Sequence, residues 1–221
     1  MKHYLSIAFK IFILSFTTVG LYLTIQDALN VIEVLSYFTS FVNLLTALLY
    51  ILFLLNLILK KSPSDWLYFF KQTLIVFLTL TTIVYSFVLI PYISDHNLAY
   101  EIFSLKDIFI HYIVPLIVIL DYAWFDKKGD IKHFYIGGNL FTLSAYVFYL
   151  ITYINLGGRF HVNGVEKIYP YFFLDVQTLG LETFTWIASV ILFVVLLLSW
   201  VVYQIDHILG VPLNPNQIKR K

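Results

Sequence analysis

The chain has 221 residues, 60% of them hydrophobic and 12% charged, with a net charge of +1 and a mean hydropathy of +0.85. No ordinary soluble domain has that balance. The small net charge, with no basic block outside short loops, argues against a nucleic-acid role. The lack of Cys excludes disulfides, thiolate metal sites and thiol nucleophiles.

Apolar segments of about 20 residues are what a helix needs to cross hydrocarbon. In chain order they fall at 5–25, 35–59, 67–93, 105–124, 134–155 and 180–205. The expected fold is all-α: a polytopic membrane protein, one domain over 1–221, built as a six-transmembrane-helix bundle. The first segment reads as a retained span and not a signal peptide, because no small-x-small cleavage site precedes Gln26-Asp27. Pro91 can end the third. Gly137-Gly138 near the start of the fifth favours close helix approach.

Charges in the loops alternate. Lys2, then Lys60, Lys61 and Lys71, then Lys127, Lys128 and Lys132, then Lys219, Arg220 and Lys221 fall on one side. Asp27 and Glu33, Asp95 and Glu101, and the mixed set Arg159, Glu166, Lys167 and Asp175 fall on the other. The positive-inside rule then puts both termini in the cytoplasm, and the expected location is the plasma membrane. The aromatic content of 19% suits two interfacial belts.

Within the second segment, Ser36, Thr39, Ser40, Asn43, Thr46 and Ala47 recur at spacings of three and four and make one polar stripe on a helix. In lipid such a stripe points into the bundle. The fourth segment carries His111, a titratable ring at membrane depth. Asp107 lies one turn before it on the same face. Pro115, four residues after it, cannot donate to the His111 carbonyl, so a bend with one free acceptor is expected there. Thr39 and His111 fall at similar depth near the outer end of their helices. The run Tyr169-Pro170-Tyr171-Phe172-Phe173-Leu174-Asp175 returns to that side, and Pro170 disfavours a continuous helix. An extended or re-entrant lid over a pocket is expected.

A hydroxyl, an imidazole and a carboxylate at shared depth fit nucleophilic catalysis. Thr39, or Ser40 in its place, attacks; His111 takes the proton; Asp107 holds the other ring nitrogen; Asn43 donates to an oxyanion. Plainer roles stand beside these. Threonine in a membrane helix commonly bonds a carbonyl of the preceding turn. Asn43 serves equally as inter-helix glue, Asp107 as a first-turn acid favoured by the helix dipole, and the aromatic run as a belt. Asp121, within the fourth segment, has no use in a pocket at the outer side. The scattered His residues show no metal-ligand spacing.

Three patches, Tyr37 to Leu45, His111 to Pro115 with Asp121, and Tyr169 to Asp175, resemble uncharacterised bacterial six-helix integral membrane proteins. Those are similar to the animal androgen-induced membrane hydrolases and the androgen-dependent TFPI-regulating protein. The resemblance implies cleavage of fatty acid esters of hydroxy fatty acids by an intramembrane threonine and histidine, which by motif position are Thr39 and His111. It implies a lipid ester as substrate, a pocket including Tyr169, Pro170, Tyr171 and Asp175, and no metal or organic cofactor. The rival expectation is a non-enzymatic protein: a lipid binder, or a proton-coupled carrier that uses His111, Asp107 and Asp121 as a relay.

Overall fold

The structure is a computed structural model that describes residues 2–26, 28, 30–96, 100–162 and 165–210. Of the charges used above for orientation, Asp27, Lys219, Arg220 and Lys221 lie outside the described residues. Among the described residues, six helices are long and apolar enough to cross a membrane: His3–Ile25, Phe38–Ile58, Asp65–Asp95, Leu105–Phe125, Tyr135–Asn155 and Val176–Gly210. They are called spans one to six. The protein is all-α with multi-span membrane helices, and each span overlaps its apolar segment closely.

Span three is the hub. It packs against spans two, four, five and six, while span one packs against spans two and four. Its buried run Leu74, Ile75, Val76, Phe77 and Leu78 meets Val42 and Tyr50 of span two, Val114 and Val118 of span four and Val195 of span six. Polar ties hold the layers. Asn139 of span five accepts from the Thr73 hydroxyl at 2.7 Å and donates to the Ser199 hydroxyl at 2.8 Å, so it joins spans three, five and six. Such bonds replace water where none is present. Gly20 lets span one approach span four: a Cβ there would stand 2.7 Å from the Ile110 side chain. Gly138 does the same against Phe69, also at 2.7 Å, whereas Gly137 faces open space.

Spans three and four each contain one widened turn. In span three it covers Tyr85–Leu89, and Pro91 follows it within the helix Ile90–Asp95, so the proline does not end the span. In span four the turn covers Phe109–Ile113, with Val114 N–H bonded five residues back to the Phe109 carbonyl. Single wide turns of this kind occur where the regular ladder is disturbed, and here each precedes a proline that cannot continue it. The expected free acceptor is present and is used: the His111 carbonyl receives the Thr82 hydroxyl of span three at 2.6 Å.

Near the end of the bundle that carries the start of span one (the basic end), four charges are buried together. Asp121 of span four is fully buried and accepts from Lys10 at 2.8 Å, from Lys71 at 2.6 Å and from the Tyr50 hydroxyl at 3.0 Å. Lys71 also meets Asp126 at 2.6 Å. This corrects the reading of Lys71 as a loop charge. It lies inside span three, 1% exposed, and its charge is consumed within the bundle. An unpaired charge at this depth costs several kcal/mol, so the two lysines and two aspartates hold one another. Asp121→Ala leaves two buried ammonium groups short of a partner and is expected to cost about 3–5 kcal/mol. Lys10→Met, which leaves Asp121 paired to Lys71, is expected to cost clearly less. Thermal unfolding in detergent measures both, and equal or negligible losses would contradict this network.

Candidate functional site

At the opposite (hairpin) end, the chain between spans one and two forms a short helix, α2 (Val31–Ser36), capped by the Asn30 side chain, which accepts from Ile32 N–H at 3.0 Å. Tyr37 breaks the helix with extended backbone (φ −69°, ψ 137°), and α3 (Phe38–Ile58) begins. Thr39 is therefore in the first turn of span two, where backbone N–H groups have no partner within the helix. The Tyr171 hydroxyl supplies one. It accepts from Phe38 N–H at 3.0 Å, and the Thr39 hydroxyl and N–H are its other hydrogen-bonding neighbours. Burial pushes the Tyr171 phenol up to about 12 against the pull of those bonds, so it stays neutral at physiological pH.

The segment bearing Tyr171 is non-helical, as Pro170 requires. Tyr171 is extended (φ −134°, ψ 142°), and a single 3-10 turn, Phe172–Leu174, follows. Pro170 is buried and Tyr169 half-buried. Asp175 does not face Thr39. It caps span six, accepting from Gln177 N–H at 3.1 Å and from the Thr178 hydroxyl at 2.7 Å.

Asn43 joins span two to span four. Its amide nitrogen donates to the Thr39 carbonyl at 2.9 Å and to the Ile110 carbonyl at 3.3 Å. Spans two and four are thus neighbours at this level. Both amide protons are committed to carbonyls, so Asn43 has none to give an oxyanion. Its free atom is the acceptor Oδ1, which is buried with no hydrogen-bond partner among the described residues.

His111 is in the widened turn beside Ile110, 6% exposed. Its ring stacks on Tyr85 of span three, centroids 3.9 Å apart and planes 9° from parallel. The ring lies against the Thr81 backbone, and Nδ1 has no partner among the described residues. Asp107 does not orient the ring. Its carboxylate accepts from the Tyr100 hydroxyl at 2.6 Å and the Ser104 hydroxyl at 2.8 Å, with Ser104 capping the helix start. Asp107 reaches His111 through its charge and through Tyr85, whose hydroxyl it neighbours. Ser40 is buried next to Thr39. The structure ties Asn43 to the Thr39 carbonyl, sets the Tyr171 hydroxyl on the Phe38 N–H next to Thr39, and seats His111 beside Asn43's partner Ile110. Asp107 and Asp175 serve other bonds.

Two features escaped the sequence reading. One is the charge cluster around Asp121. The other is a β-hairpin, β1 (Phe160–Val162) paired antiparallel with β2 (Val165–Lys167). The Asn163-Gly164 dipeptide between the strands is the turn signal that would have found it. The hairpin is tied down by Glu33 of α2, which accepts from the His161 N–H and contacts His161 Nδ1 at 2.9 Å. Tyr37 packs edge-on against Phe160 and Tyr171, so the hairpin, α2 and the Tyr171 segment form one aromatic cover.

No protein-family model matches the chain, nor does any curated protein or solved structure.

The hydrogen bond to Glu33 holds the His161 imidazole above its usual value. That contribution to stability is complete below the unfolded value of about 6.5 and is lost as pH rises through the raised folded value. His161→Ala should therefore lower Tm most at about pH 5–6 and least at about pH 9. A gap that does not change with pH would contradict the latch.

Proposed function

We propose that the protein is an intramembrane hydrolase of lipid esters, with Thr39 as nucleophile and His111 as base. The observation that carries the reading is the buried Nδ1 of His111, which has no hydrogen-bond partner among the described residues although the carbonyl of the same residue is bonded to Thr82. A buried polar group left open calls for an explanation, and a catalytic role is one. The unpartnered Asn43 Oδ1 one contact away supports it. The likeness of the Thr39, His111 and Tyr169–Asp175 patches to the intramembrane ester hydrolases supplies the reaction class.

The Tyr171 oxygen occupies the position a substrate oxygen would take. It already receives the Phe38 N–H and neighbours the Thr39 N–H at the start of span two. When the ester carbonyl displaces the phenol, those N–H groups, at the positive end of a helix, face the developing oxyanion. The Thr39 hydroxyl attacks the carbonyl carbon and its proton passes to His111 Nδ1. The tetrahedral intermediate collapses to an acyl-threonine, and His111 returns the proton to the leaving alkoxide. Water, deprotonated by the same nitrogen, then releases the fatty acid. Asn43 Oδ1 accepts a hydrogen bond from that water or from a substrate hydroxyl. The positive-inside distribution of loop lysines supports an orientation with this end outward and both termini in the cytoplasm; in a plasma membrane, an amphipathic ester then enters laterally beneath the aromatic cover.

The carrier reading gains less. A relay from His111 to Asp121 must cross about 15 Å along span four, and Val114 and Val118, both fully buried, stand on that path.

Purified protein is expected to cleave fatty acid esters of hydroxy fatty acids. His111→Ala is expected to lower turnover by about 10²–10⁴-fold, the usual worth of a positioned base, without changing Tm by more than a few degrees. Thr39→Ala is expected to abolish acyl-enzyme formation while Ser40→Ala retains it. Retained turnover in His111→Ala, or loss in Ser40→Ala alone, would overturn the assignment.

A further inference from the structure

Two segments far apart in sequence are tied together twice over the start of span two. One runs from α2 through Tyr37 to Phe38, the other from the hairpin through Pro170 to Tyr171. At one end Glu33 accepts from His161 N–H and meets His161 Nδ1 at 2.9 Å. At the other, Phe38 N–H donates to the Tyr171 hydroxyl at 3.0 Å. Between the ties, Tyr37 packs edge-on against a ring from each part of the second segment, Phe160 and Tyr171. The result is a closed clasp, and Thr39, next to Phe38, is 9% exposed beside its inner tie.

The hairpin has few other anchors. A lone two-stranded hairpin is marginal in water, and all three residues of β2 are exposed. It is held by the buried Phe160 ring against Tyr37 and Tyr153, by the Tyr153 hydroxyl on the Arg159 carbonyl at 3.1 Å, and by Glu33. The groups around His161 are Glu33 on α2, Glu166 opposite it on β2, Arg159, which meets Glu166 at 3.8 Å, Lys167 one pair along the ladder, and the Tyr153 phenol of span five. The hydrogen bond to Glu33, and then its charge, raise the imidazole above its usual value. A charged donor makes a bond roughly twice as strong as a neutral one. The outer tie is therefore tight when the imidazole is protonated and slack when it is neutral.

We propose that the Glu33–His161 pair is a pH-operated latch on the cover over Thr39: protonated His161 keeps the Tyr171 segment seated, and neutral His161 lets it lift and expose the Thr39 hydroxyl. As control of turnover the latch rests on the hydrolase reading; as control of access to Thr39 it does not. The stack of Phe172 on Tyr92 of span three, centroids 3.7 Å apart, is an uncharged hold on the same segment, so the segment pivots there.

The chain has no Cys, so Thr39→Cys places a single thiol under the cover. Its reaction rate with methyl methanethiosulfonate is measured in the full-length protein in detergent, with and without Glu33→Gln or His161→Gln. Thiol ionisation is common to all three proteins, so the readout is the ratio of rates at each pH. Each added substitution is expected to speed the reaction about fivefold at about pH 5.5 and to leave it nearly unchanged at about pH 9, on either side of the imidazole titration. A ratio of one at both pH values, or a ratio that does not change with pH, would overturn the proposal. A second measurement needs no substitution: the protection of the Phe38 amide against hydrogen exchange is expected to fall about fivefold between the same two pH values, and constant protection would overturn the proposal equally. Neither readout requires turnover, so a protein that cleaves no ester but shows these ratios keeps the latch and loses the hydrolase, and an active protein with flat ratios does the reverse.

Discussion

Asp121 is wholly buried, yet it touches three side chains from three other helices: Lys10 of span one, Tyr50 of span two and Lys71 of span three. Hydrocarbon offers no water to a misplaced charge. The only low-energy arrangement of spans one to four is therefore one that brings these groups together, with Asp126 completing the balance of charge. The register set at the basic end is carried along rigid helices to the hairpin end. There the same four spans present Gly20 to Ile110, Asn43 to the Ile110 carbonyl, and Tyr85 to His111. The geometry at Thr39 and His111 inherits its positions from this network.

The prolines of spans three and four do related work. Each follows a widened turn, and the two turns lie side by side, joined by the Ser86–Tyr112 hydroxyl pair at 2.9 Å and by the Tyr85–His111 stack. A widened turn adds a residue to the helix circumference and shifts which side chains face the bundle. His111 gains its buried position from that shift. Its carbonyl, freed by Pro115, is satisfied by Thr82 and does not drive the ring elsewhere.

Much of this was legible in the sequence, for physical reasons that differ between elements. The spans were legible because lipid demands length and apolarity. The free carbonyl at His111 was legible because a missing N–H four residues on admits few outcomes. The polar stripe of span two was legible from its period, and Thr39, Ser40, Asn43 and Thr46 are indeed all buried. The roles of single polar atoms were not. Asp107 and His111 are one turn apart, but Ser104 and Tyr100 are closer partners for the carboxylate, and a periodicity argument cannot rank competing hydroxyls. Asn43 was read as a donor because amides donate, while its protons are taken by two backbone carbonyls. Lys71 was missed because a lysine near a span end resembles a loop anchor, and its two carboxylate partners come from 50 or more residues along the chain.

The account turns on Thr39 being a hydroxyl that His111 activates. Treatment of the detergent-purified protein with a fluorophosphonate, followed by mass spectrometry of its peptides, measures that directly. The account predicts one stoichiometric adduct on Thr39 that disappears in His111→Ala. A folded protein that carries no adduct, or one modified elsewhere and independently of His111, would contradict it.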